Sequence, residues 1–232
     1  MKKILCLLAT ATLSASLPAD EIRLNLEESP DQVGTYYIAD RENSGAVTGP
    51  QTGKILHIDE KGWPIHLGDW AAQEGPGFMV KYFLLFRLPA LEGKKLTRAT
   101  LRLYLTQIRH DATEKPLPPA LLVHAEDWLD ARWSADSEFH GLQTSHFADQ
   151  EAFSNPTPLC GPDSKPGFID IDVTGMIGTD YRRDPEPVAA FRLEMADHET
   201  LDSTDGLGNF YNFWGTMPSL PDRLPTLVLS FE

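Results

Sequence analysis

The sequence is 232 residues long, with 20 Lys and Arg against 34 Asp and Glu, a formal charge of −14 and 41% hydrophobic residues. That length and apolar content suffice for one well-buried core, and the acidic balance makes nucleic acid and other polyanions poor partners. Two cysteines give no disulfide framework, and no apolar run reaches the roughly 18 residues of a membrane span.

Met1, Lys2 and Lys3 precede an apolar stretch, residues 4–13, followed by the small residues Ser14, Ala15, Ser16 and Ala19. This is the order of a secretory signal peptide over residues 1–19, cut after Ala19, with Ser16 as the alternative point. Cys6 lies inside the apolar core instead of after it, which argues against lipid attachment. Loss of Lys2 and Lys3 takes the formal charge to about −16. It also leaves Cys160 as the single cysteine, so no internal disulfide forms even in an oxidising compartment. The expectation is a secreted or extracytoplasmic protein, at the periplasm or cell surface, with residues 20–232 as one domain.

Residues 20–77 carry short apolar runs at 35–39 and 54–58 between turn residues, which predicts short strands on long loops. Residues 79–88, bounded by Gly75-Pro76-Gly77 and Pro89, predict a buried strand. In 99–105, Leu101, Leu103 and Leu105 alternate with Thr100, Arg102 and Tyr104, the period of a strand with one core face. Pro116, Pro118 and Pro119 precede another apolar run at 120–125; residues 126–166 read as irregular, with Trp128 and Trp133 assigned to the core. Ile169, Ile171 and Val173 alternate with Asp170 and Asp172, and a short helix is expected over 175–181. Residues 188–195 and 225–231 supply the last clear strands. Strands without a regular helix between them predict an all-β fold: an antiparallel β-sandwich of jelly-roll type with long loops and at most short helices.

The run Tyr82-Phe83-Leu84-Leu85-Phe86-Arg87-Leu88, with Leu91, Gly93-Lys94-Lys95-Leu96 and Ala99-Thr100-Leu101-Arg102-Leu103-Tyr104, resembles a recurring segment of the DNRLRE-type domain family of secreted bacterial and archaeal proteins. Trp128, Asp130 and Trp133 resemble a shortened form of its central tryptophan motif. Asp172-Val173-Thr174 and Pro225-Thr226-Leu227-Val228-Leu229 resemble two of its strands. The resemblance implies a jelly roll grouped with carbohydrate-binding modules, usually attached to polysaccharide-degrading or cell-surface proteins.

Flat side chains stack on the C–H faces of sugars while nearby amides bond the hydroxyls. Two aromatic clusters fit that chemistry: Trp63 and Trp70, flanking Pro64, His66 and Asp69, and the run 208–215, which holds Tyr211 and Trp214 beside Asn209 and Asn212. The competing reading is that these rings plug the ends of the sandwich. Asp197, Glu199, Asp202 and Asp205 form the densest acidic loop, where oxygen ligands could hold a structural calcium. Their spacing is not that of an EF-hand, and a solvated acidic loop is the alternative. Asp170 and Asp172 share one strand face as paired acids would, yet alternation alone explains them. No His-Glu-x-x-His zinc motif, Gly-x-Ser-x-Gly elbow or phosphate-binding glycine loop is present. The expected function is therefore a secreted, non-catalytic carbohydrate-binding or surface adhesion module, with a neutral or weakly charged glycan or cell-surface polymer as partner. A structural envelope or matrix protein and a polysaccharide hydrolase or lyase are the alternatives.

Overall fold

The computed structural model describes residues 20–25, 33–40, 54–57, 65–70, 78–110, 116–125, 153–183, 187–196, 209–215 and 220–232. These form β1 (Asp20–Asn25), β2 (Val33–Asp40), β3 (Lys54–His57), β4 (Ile65–Trp70), β5 (Phe78–Arg87), β6 (Leu96–Arg109), β7 (Ala120–Ala125), β8 (Phe153–Cys160), β9 (Gly167–Asp172), α1 (Thr174–Arg183), β10 (Val188–Met195), β11 (Phe210–Phe213) and β12 (Thr226–Phe231).

Two long strands organise the hydrogen bonding. β6 pairs along one edge with β12 and then with β11, and along the other with β9. β5 pairs along one edge with β2, while its other edge is divided between β4 and β10. One continuous network, β1-β12-β6-β11-β4-β5-β10-β7-β8, with β9, β2 and β3 as branches, thus folds into two layers. The outcome is a mostly β, sandwich-like fold of two sheets that curl towards a half-barrel, and α1 is the one α-helix among the described residues.

The expected alternation sets the burial of β6: Ala99, Leu101, Leu103 and Leu105 are fully buried while Thr100, Arg102, Tyr104 and Thr106 are half-buried on the solvent face. A bulge opposite Asn212 and Phe213 leaves Thr106 out of register, and beyond it Ile108 turns to the core. The Thr106 hydroxyl donates to the Asn212 carbonyl oxygen at 2.9 Å, which satisfies a backbone acceptor at the irregularity. Every residue of β10 is buried, as suits a central strand with neighbours on both edges. Each fully buried leucine or phenylalanine contributes about 1.5–3 kcal/mol relative to exposure.

Two buried charge groups interrupt this apolar packing. Glu194 Oε2 lies 2.8 Å from Lys81 Nζ and 3.0 Å from Arg192 Nε, joining β5 and β10. These are ion-pair separations inside an apolar layer, where charges attract with less screening than in water. His124 Nε2 lies 3.0 and 3.1 Å from the two Asp180 carboxylate oxygens, tying β7 to α1.

Four strands depart from the sequence expectation. β8 falls inside the stretch read as irregular: Pro156 and Pro158 cannot donate to a ladder, and β8 tolerates them because, among the described strands, it pairs with β7 alone, with register shifts. β4 and β11 occupy segments read as aromatic loops, and β1 lies in the turn-rich N-terminal section. β4 carries Gly68 at φ 129°, where a Cβ would stand 2.5 Å from the Asn209 carbonyl oxygen and 2.5 Å from Met195 Sδ. Only glycine fits that close approach without displacement.

Candidate functional site

The solvent face of β6 and β9 gathers the aromatic and arginine side chains that the strands leave uncovered. Cross-strand register sets Tyr104 opposite Phe168, Arg102 opposite Asp170 and Thr100 opposite Asp172. Phe168 is 49% exposed, although apolar rings of this size are usually inside. Its ring meets Tyr104 edge-on, with centroids 4.9 Å apart at 82°, and the Arg102 guanidinium carbon lies 5.2 Å from its centroid. Arg102 donates through Nε and a terminal nitrogen to the two Asp170 oxygens, both at 2.7 Å. This bond lowers the Asp170 pKa and raises that of Arg102.

β11 delivers Trp214 to the same face. The Trp214 amide donates to the Tyr104 carbonyl oxygen at 2.8 Å, so the indole follows the strand end and stays half-buried. Arg223 arrives from a single 3₁₀ turn, Pro221–Arg223, anchored by buried Leu224. Its guanidinium carbon sits 4.3 Å from the Tyr104 ring centroid and 5.5 Å from that of Trp214. In order across the surface stand Trp214, Arg223, Tyr104, Phe168, Arg102 and Asp170. Such an array offers apolar ring surface and forked N–H donors, with part of each ring already covered by a guanidinium.

Of the residues expected to bind a ligand, Trp214 is on this surface. Tyr211 is fully buried and donates its hydroxyl to the Pro118 carbonyl oxygen at 2.9 Å; burial raises its pKa, and it presents no face to solvent. Asn209 is also fully buried. Asn212 is half-buried, with Oδ1 enclosed and lacking a hydrogen-bond partner among the described residues. Trp70 closes β4 with its backbone opposite Phe78. Trp63, Trp128, Trp133 and the acidic loop residues Asp197, Glu199, Asp202 and Asp205 lie outside the described residues.

Asp172 does not pair with Asp170. Its Oδ1 accepts the Thr174 hydroxyl at 2.6 Å and the Thr174 amide at 2.9 Å, which lowers its pKa and fixes the start of α1. Burial pushes the Cys160 thiol up to about 12, so it stays protonated at neutral pH. Among the described residues, no group of three or more His, Cys, Asp or Glu side chains is placed to hold a metal ion.

Tyr104, Phe168, Arg102 and Arg223 were not anticipated as site residues. Tyr104 and Phe168 had a readable signal, since each puts an aromatic ring at an outward position of an alternating strand. Arg223 had none, because its approach to Tyr104 depends on register between distant segments. In comparison with known proteins, no family model and no curated protein matches the sequence.

Proposed function

We propose that this chain is an exported, non-catalytic β-sandwich module of jelly-roll type, similar to the DNRLRE-type domains, that binds a neutral or weakly charged glycan at the cell surface or outside the cell. The observation that carries the reading is the surface formed by Trp214, Tyr104 and exposed Phe168, bordered by Arg223 and Arg102. Rings and forked donors at one surface suit the two faces of a sugar, apolar C–H and hydroxyl oxygen. The formal charge of −14 opposes approach of a polyanion. Export is supported by the basic and apolar order of residues 1–19, and cutting after Ala19 leaves β1 intact from Asp20 onward.

Affinity electrophoresis of residues 20–232 in gels containing cellulose derivatives, mannan or xylan tests the reading. Retardation by at least one neutral glycan, weakened by Phe168→Ala and Trp214→Ala, is expected. Unchanged mobility in every glycan gel would remove it. Burial of Tyr211 and Asn209 favours a second reading, a scaffold of the envelope or matrix with no ligand site. That reading predicts that both ring substitutions leave every binding measurement untouched.

A further inference from the structure

We infer that Arg223 is the polar anchor of this surface, donating in-plane N–H groups to two adjacent hydroxyl oxygens of a neutral sugar ring while Phe168 carries the apolar contact; this rests on the glycan reading above. Arg223 is held differently from four other cations of the described surface. Arg23 meets Glu21, Lys94 meets Asp20, Lys95 meets Glu232, and Arg102 is engaged twice by Asp170. Arg223 is held by two rings, at 4.3 and 5.5 Å.

The difference matters chemically. A carboxylate takes up the N–H edge of a guanidinium, whereas an aromatic ring attracts the cation without accepting from that edge. Tyr104 and Trp214 therefore restrain the Arg223 side chain, and among the described residues no carboxylate is paired with its in-plane donors. A guanidinium fork spans two neighbouring oxygens, the spacing that a vicinal diol presents. Arg102 has less of that capacity, because Asp170 already takes the edge formed by Nε and one terminal nitrogen. Phe168, 49% exposed at the same surface, supplies the ring against which a sugar face can lie.

The test is calorimetric titration of residues 20–232, as wild type and as Arg223→Gln, Arg223→Lys and Phe168→Ala, with soluble mannan, xylan and, as an acidic arm, polygalacturonate. Thermal unfolding of each variant is followed alongside. Arg223→Gln is expected to weaken neutral glycan binding about tenfold or more, the effect of losing hydrogen bonds from a charged donor. Arg223→Lys, which keeps the charge above the rings but not the fork, is expected to lose most of the same affinity with little change in unfolding temperature. If Arg223→Gln does not fold, Arg223→Lys decides. Wild-type binding undiminished in both arginine variants overturns the role of Arg223 and leaves the glycan reading standing. Binding confined to polygalacturonate and falling steeply with salt overturns the neutral diol. Absence of binding to all three overturns the glycan reading and this inference with it.

Discussion

His124 and Asp180 are each almost fully enclosed, and each is the buried neighbour of the other across β7 and α1. Removing His124 takes a hydrogen-bonding partner from an enclosed carboxylate, so His124→Ala is expected to lower unfolding free energy by about 1–3 kcal/mol in urea titrations. A loss below about 1 kcal/mol would mean that the pair holds little of the helix in place. The Asp170 and Asp172 carboxyls act differently, because both are exposed and are ordered by Arg102 and Thr174. Their folded pKa values lie below the ordinary aspartate value of about 3.9, so the unfolded chain takes up protons first. Their contribution is full above that value and is lost as pH falls through the lower folded values. Stability of the Asp170→Asn, Asp172→Asn double variant should therefore depend less steeply on pH below about 4 than wild type. Parallel acid-unfolding curves for the two proteins would contradict this.

Among the elements, β4 makes the sharpest demand on one residue. Gly68→Ala places a methyl group 2.5 Å from the Asn209 carbonyl oxygen on a backbone at φ 129°, and is expected to cost more than about 1 kcal/mol in chemical denaturation. A neutral result would mean that the β4–β11 approach relaxes freely. The same strand shows where the sequence stops being informative. β7 and β10 were legible to the residue, and β5 and β12 nearly so, because their apolar runs lie between strong turn signals. β6 was legible only in its middle: it continues to Arg109 because the bulge at Thr106 allows a second pattern of inward residues. β4 and β8 were hidden by Gly68 and by two prolines, residues that read locally as breaks and are accommodated here by close packing and, in β8, by pairing with a single neighbour among the described strands. The site was legible to the same extent. Trp214 stood out as an aromatic among glycines, but its companions Tyr104, Phe168 and Arg223 are joined to it by strand pairing, which no local pattern encodes.

Over the whole molecule, the buried Cys160 thiol is a reporter of opening. With its pKa pushed up to about 12 and its side chain in the core, it should react with a disulfide reagent near pH 8 only through unfolded or partly open states. Labelling of residues 20–232, which lack Cys6, is expected to be slow in buffer and to accelerate along the denaturant unfolding curve; fast labelling in buffer would show local fraying of β8. The pairing of β1 with β12 carries another consequence. Asp20 stands opposite Phe231, and Lys95 exchanges backbone hydrogen bonds with Glu232 at 2.9 and 3.0 Å. Residues 20 and 232 therefore lie at one corner of the fold, within reach of a short peptide. A circular permutant that joins them and opens elsewhere should keep the sheet order, and the unit could be spliced into a surface loop of a host protein with entry and exit side by side.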